Sequence, residues 1–217
     1  RAITFGLDAA SGAADFGLAN GFLMRGNAPL LAETELALRG RHNVANALAA
    51  LAMAEAVGCP MPALVTALRD FRGLPHRVEA IAERDDGVTY FDDSKGTNVG
   101  ATMAALEGLG RKVVLIAGGD GKGQDFTPLL TAVREHARAV VLIGRDASRI
   151  EAAIAEAGVP IEHATDLPRA VLRADAMARE GDAVLLSPAC ASLDMFADYV
   201  DRGEQFQSAV AALEVAA

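Results

Sequence analysis

Beyond residue 98 the chain alternates between short runs rich in Val, Ile and Leu and helical stretches of about ten residues, and no other feature narrows its possible folds as much. Strand patterns fall at 113–117, 139–143, near Ile161 and at 183–186. Helical patterns fall at 98–109, 128–137, 147–157 and 167–180, with two closing helices expected beyond Leu193 and Glu204. A strand followed by a helix that returns the chain to the same end of the sheet makes a βαβ crossover. Its strands are parallel and its helices cover the sheet faces. The expected fold is therefore α/β, a Rossmann-like three-layer unit with a mostly parallel sheet. A hairpin leads into it, with strands at 78–84 and 88–91 joined through Asp85-Asp86-Gly87, where Asp-Gly supplies the turn. Ligands of such sheets collect beyond the carboxyl ends of the strands, and three polar loops fall there: 92–98, 118–125 and 187–194.

The first third reads differently. Apolar runs at 3–5, 16–18, 22–24, 30–31 and 36–38 are punctuated by glycine and turn residues, a pattern of short strands with tight connections. Helices follow at 43–57, stopped by Gly58 and Pro60, and at 61–71. Gly73 and Pro75 then mark a boundary between a partial α/β domain, 1–74, and the Rossmann-like domain, 75–217. A sheet of such short strands has little core of its own and belongs to a larger body. The chain also starts without Met, on what reads as a strand in progress, so more protein is expected before Arg1.

Composition removes several function classes. With 20 Lys and Arg against 29 Asp and Glu, the net charge is −9 and no basic run occurs, which argues against nucleic acid or an anionic membrane as partner. A membrane-spanning helix needs roughly 18 apolar residues, and the longest candidate, 44–57, is broken by Asn46 and Glu55. No signal-peptide pattern is present. Cys59 and Cys190 are too far apart and too few for a disulfide framework or a zinc site, and a reducing, cytoplasmic setting fits. His42, His76, His136 and His163 show no metal-ligand spacing, so no metal site is expected in this chain.

The three loops hold the candidate chemistry. Asp92-Asp93-Ser94-Lys95-Gly96-Thr97-Asn98 places two carboxylates, an ammonium, two hydroxyls and an amide around one glycine at a helix start, where backbone N–H groups receive anions. The same residue types also make ordinary turns and caps, so taken alone the stretch reads equally as a ligand loop or a capped turn. Gly118-Gly119-Asp120-Gly121-Lys122-Gly123 is not a P-loop, because GxxxxGK[ST] would need glycine at Ile116 and a hydroxyl at Gly123. It remains a glycine-rich turn presenting one ammonium. In Ser187-Pro188-Ala189-Cys190-Ala191-Ser192-Leu193-Asp194, Ser192 is placed as the N-cap of the next helix, and Cys190 reads as a small packed residue. Arg77, next to His76 at the domain junction, suits a phosphate or a structural ion pair, and Asn43 and Asn46 suit a base edge or a cap.

In order and composition these stretches resemble a known family. Gly40-Arg41-His42-Asn43-Val44-Ala45-Asn46 and the alanine-rich run after it resemble the signature that ends the ATPase domain of Mur ligases and folylpolyglutamate synthases. Leu74-Pro75-His76-Arg77, the 92–98 loop, Gly118 to Lys122 with Asp125-Phe126, and the Ser-Pro-Ala-Cys-Ala-Ser-Leu-Asp run together resemble the D-glutamate-adding branch of the Mur ligases. The resemblance implies three domains, of which this chain would hold the tail of the central ATPase domain and the whole carboxyl-terminal domain. It implies a cytoplasmic, monomeric enzyme of peptidoglycan synthesis. ATP and Mg2+ would convert the alanyl carboxylate of UDP-N-acetylmuramoyl-L-alanine to an acyl phosphate, which the amine of D-glutamate attacks.

Carried over by motif, Asn46 and Asp93 would contact adenine and ribose, with His76 and Arg77 completing the nucleotide side. Lys95, Thr97, Lys122, Ser192, Leu193 and Tyr199 would surround D-glutamate, Tyr199 standing where the family more often has Phe. Gly96 replaces the family's usual Ala and is expected to loosen its loop. No residue is assigned a catalytic role with certainty; Lys95 and His76 are the nearest candidates. The family's P-loop, magnesium-binding carboxylate and histidine, and carbamylated lysine have no counterpart in these residues, so the chain alone is expected to be inactive. Two other readings stay open: another Mur ligase or a folylpolyglutamate synthase-type enzyme, and a non-catalytic amino-acid- or nucleotide-binding module.

Overall fold

A computed structural model describes residues 2–38 and 40–216, and the chain divides into two compact units, Arg1–Gly73 and Leu74–Ala217. In the first unit β1 (Phe16–Ala19), β2 (Phe22–Arg25) and β3 (Ala28–Ala32) form an antiparallel meander. Asn20 and Gly21, both at positive φ (52° and 76°), close the first hairpin. Helix α1 (Arg41–Ala56) buries Val44, Ala47, Leu48, Leu51 and Ala52, an i, i+3, i+4, i+7, i+8 stripe, against Phe16, Leu23, Leu31 and Leu36. Helix α2 (Met61–Asp70) adds Leu64, Val65 and Leu68. Two expected strands are absent. Residues 3–5 make only one bridge, Phe5 to Phe16, and Leu36 enters the core from an irregular segment after a short 3-10 turn, Glu33–Glu35. Three apolar residues in a row, Leu36, Ala37 and Leu38, looked like a strand when only Leu36 is needed as a core plug. Arg39 and the side chain of His42, in the run that leads into α1, lie outside the described residues.

The second unit is built on a six-stranded sheet in the order β4-β5-β9-β6-β7-β8. Its strands are β4 (Glu79–Glu83), β5 (Thr89–Asp92), β6 (Val113–Gly118), β7 (Ala137–Ile143), β8 (Ile161–His163) and β9 (Ala183–Leu186). The hairpin pair β4 and β5 is antiparallel and every other pairing is parallel. Side chains alternate between two cores. Val113, Leu115, Val140, Leu142 and Leu185 face α3 (Val99–Gly108), α4 (Leu129–His136) and α5 (Ala147–Ile154). Val114, Ile116, Val141, Val184 and Leu186 face α6 (Leu167–Met177) and α7 (Tyr199–Ala216). All six residues of β6 are buried, which accounts for its unbroken apolar run.

The chain end departs from expectation. A single closing helix replaces two, and α6 stops at Met177, three residues short of the expected end. The start signal for α7 is Asp198, whose Oδ1 accepts from the N–H groups of Val200 (2.7 Å) and Asp201 (2.9 Å), while Asp201 Oδ2 accepts from Ala197 N–H at 2.9 Å. Ser192 caps no helix. Its carbonyl accepts from the N–H groups of Met195 (3.0 Å) and Phe196 (2.9 Å) in a turn. Among the described residues no helix is long and apolar enough to cross a membrane.

Candidate functional site

Three adjacent strands, β5, β9 and β6, end at one edge of the large sheet, and the loop after the central one binds the other two together. Ala189 N–H donates to Gly96 C=O and Gly118 N–H to Pro188 C=O, both at 2.9 Å. Asp120 and Ala191 exchange backbone bonds of 3.0 and 2.9 Å. Such close approach needs glycine. At Gly118 and Gly119, with φ of 123° and 129°, a Cβ would lie 1.9 Å from Ile143 O and 2.3 Å from Ala191 O.

The loop after β5 is held by buried polar groups. Asp92 is fully buried; its Oδ2 pairs with His76 Nδ1 at 2.8 Å and accepts from Gln207 Nε2 at 3.0 Å, and its Oδ1 accepts from Ser94 N–H at 2.9 Å. Asp93 Oδ2 accepts from the Ser187 hydroxyl at 2.6 Å. Burial pushes the Asp93 carboxyl up to about 6, and the Asp92 charge adds to the rise; the Ser187 hydroxyl and the Arg77 guanidinium oppose it. Lys95 N–H donates to His76 C=O at 3.1 Å, which ties the loop to the segment before β4. That segment is strained: His76 and the β-branched Val78 sit at φ 60° and 49°. Gly96 does not loosen the loop. It is buried, its N–H donates to Asp93 C=O at 2.8 Å, and its own carbonyl is taken by Ala189.

Around this frame the sequence-derived candidates take up distinct positions. Lys95 and Thr97 are half-buried, and the Lys95 ammonium lies 3.7 Å from the centroid of the Tyr199 ring. The His76 ring stands edge-on to Tyr199, with centroids 6.1 Å apart and planes at 82°. Arg77 is exposed beside the buried Asp93. On the neighbouring loops, Ser192 is buried, the Leu193 side chain is 68% exposed, and Lys122 is exposed at φ 50° with its N–H on Asp120 Oδ1 (2.9 Å). Asn46 belongs to the first unit, on the exposed side of α1. Cys190 is fully buried, and burial pushes its thiol up to about 12, as befits a packed residue and not a nucleophile.

Sequence reasoning missed Arg202. It is completely buried, and its guanidinium donates to Ser94 Oγ (3.0 Å), Ser94 C=O (2.7 Å) and Cys190 C=O (3.2 Å), bridging the loops after β5 and β9. Burial pushes its pKa down to about 10. A second missed residue, Gln124, accepts from Val99 N–H at 3.2 Å and donates to Ala189 C=O, so it links the loop after β6 to the start of α3 and to the loop after β9. Among the described residues, His76, Glu79 and Asp92 form the only group offering three metal-ligand atoms within 4.8 Å of one another. Those atoms are already committed: Glu79 Oε2 accepts from His76 N–H at 3.1 Å, and Asp92 is fully engaged as above. The cluster is thus a structural brace.

A family profile described as "Mur ligase, glutamate ligase domain" matches residues 76–190. Curated relatives called UDP-N-acetylmuramoylalanine--D-glutamate ligase align along nearly the whole chain: one from Nitrosospira multiformis is 56% identical over 99% of it, and one from Aromatoleum aromaticum is 59% identical over 95%. The chain belongs to the Mur ligase family. The Mur ligase fold is also evident in solved structures. A UDP-N-acetylmuramate-alanine ligase from Thermotoga maritima superposes with a TM-score of 0.64 at 20% identity, covering 88% of this chain and 42% of that one. A folylpolyglutamate synthase from Mycobacterium tuberculosis, complexed with ADP, gives 0.65 at 18% identity, covering 89% and 47%. The chain spans about half the length of the curated Mur ligases it matches, 46% of each of the two named above.

Proposed function

We propose that this chain is the acceptor half of an ATP-dependent ligase that joins D-glutamate to UDP-N-acetylmuramoyl-L-alanine in peptidoglycan synthesis. The observation that carries the reading is the 52–61% identity to D-glutamate ligases, which in most cases runs the length of both units. The chemistry of the loops agrees. A dicarboxylic amino acid needs cations and hydroxyl donors for two carboxylates and a surface for its methylenes. Lys95, Lys122, Thr97 and Ser192 offer the first, and Leu193 and Tyr199 the second. Residues 1–74 are read as the tail of the central ATPase domain and residues 75–217 as the carboxyl-terminal domain.

For the nucleotide the proposed groups are, in the second unit, Arg77, an exposed guanidinium suited to phosphate or ribose oxygens, and, in the first, Asn46, an exposed amide suited to the adenine edge. His76 and Asp93 contribute by fixing the backbone from which Arg77 projects, since their side chains are held by Asp92 and Ser187. ATP supplies the phosphoryl group that activates the alanyl carboxylate. Among the described residues, the one cluster with three ligand atoms is spent on hydrogen bonds and does not fit a resident Mg2+. What these residues contribute is orientation and charge neutralisation of the incoming amino acid, with no covalent catalysis by side chains. No P-loop pattern occurs in these residues, so the chain by itself is expected not to hydrolyse ATP.

In the complete protein that carries this chain, ADP release should depend on D-glutamate and not on L-glutamate. Lys122→Ala and Ser192→Ala should each raise the KM for D-glutamate by about tenfold or more, the loss of one charge-assisted contact. Wild-type kinetics in both variants would sink the pocket assignment, and a preference for L-glutamate would move the protein to the folylpolyglutamate synthase type.

A further inference from the structure

We propose that the aromatic face of Tyr199 positions the Lys95 ammonium, holding it ready for a carboxylate before any ligand arrives. The inference rests on the acceptor-site reading above and goes beyond it by giving the two residues a joint role. Four observations carry it. First, Lys95 Nζ lies 3.7 Å from the Tyr199 ring centroid, within cation–π range. Second, among the described residues the Lys95 ammonium has no ion pair and no hydrogen bond, so the ring is its partner and the N–H donors that point away from the ring stay available.

Third, the two side chains spring from backbone that is locked together. Tyr199 is the first residue of α7, its carbonyl accepts from Ser94 Oγ–H at 2.7 Å, and Ser94 immediately precedes Lys95. Fourth, the edge-on His76 ring braces Tyr199, which limits its rotation. The Tyr199 hydroxyl takes no part in any hydrogen bond among the described residues, so the ring and not the phenol is the working group. A long lysine chain left free in solution must be ordered when a ligand binds; here it is ordered beforehand.

The test uses the complete protein that carries this chain, with its lysines reductively dimethylated using 13C-formaldehyde, which keeps the positive charge. The Lys95 methyl signal is identified by its disappearance in Lys95→Arg. Expected is a signal shifted upfield by the ring current, moved to a normal position in Tyr199→Leu and kept upfield in Tyr199→Phe. In steady-state assays the KM for D-glutamate in Tyr199→Leu should exceed that in Tyr199→Phe by about five- to tenfold. An unshifted Lys95 signal in the parent protein overturns the proposal, as does loss of the shift in Tyr199→Phe. The two readings fail separately. An upfield Lys95 signal in a protein without D-glutamate-dependent turnover would leave the pairing intact and remove the ligase reading; an ordinary signal in a D-glutamate-dependent enzyme would do the reverse.

Discussion

The loops leaving β5 and β6 each carry one lysine toward the same edge of the sheet, and they hold it in opposite ways. In the first, the N–H groups of Ser94, Lys95, Gly96 and Thr97 all have partners, the flanking carboxylates are buried, and the ammonium is seated on a ring. In the second, the backbone is fixed too, with Gly121 N–H on Asp146 Oδ2 at 2.7 Å and Lys122 N–H on Asp120 Oδ1 at 2.9 Å, but the lysine side chain is left exposed. Gly118 and Gly119 press against neighbouring backbone, while Lys122 stands at an exposed tip with no ion pair among the described residues. One charge is set in place by the fold, and the other extends into solvent. A ligand with two carboxylates can be located by the first and gripped by the second, so substitutions in the first loop should act on the fold as well as on binding.

The contrast is broken most strongly at Arg202. Arg202→Ala removes three hydrogen bonds from a buried guanidinium and leaves a cavity behind the first loop, and should cost about 4 kcal/mol in urea unfolding. A loss under 1 kcal/mol would mean that the first loop does not depend on α7. Next is Asp93→Asn. The unfolded carboxyl ionises near 3.8, whereas the folded one keeps its proton up to about 6. Burying the carboxylate therefore costs nothing below the lower value, costs progressively more between the two, and reaches its full effect, up to about 3 kcal/mol, above the higher one. The parent should lose stability as pH rises through that window, and Asn should flatten the slope; equal slopes from pH 4 to 8 would show that Asp93 is better solvated than its burial indicates. Least of all, Lys122→Ala should change stability by under about 0.5 kcal/mol, measured by the same unfolding. A larger loss would make the second loop structural too.

Much of this arrangement was legible in the sequence. The strand and helix alternation gave the parallel sheet, because a period of two or of 3.6 is local information, and Asp85-Asp86-Gly87 gave the hairpin. The start of α7 was ambiguous, since Ser192 and Asp198 are both cap formers and only packing chose between them; Asp194, two residues after Ser192, accepts from Arg145 N–H at 2.8 Å. Arg202 was hidden because an arginine on a helix is ordinarily a surface residue. One signal was available: it shares a face with Tyr199, Phe206 and Val210, and a cation on an apolar stripe is a candidate for burial. The joining of three loops depends on strand order, which is long-range, and so was beyond any local pattern.

That strand order also bears on how the chain is made. The strand that pairs with both β5 and β6 is the last one synthesised, so until residues 183–186 leave the ribosome those two strands each present an unsatisfied edge to solvent or to another nascent chain. Residue 202, which closes the first loop from behind, emerges later still. A premature stop anywhere before that point would therefore yield something worse than an inactive product, a half-built sheet open in the middle and prone to pair with its neighbours.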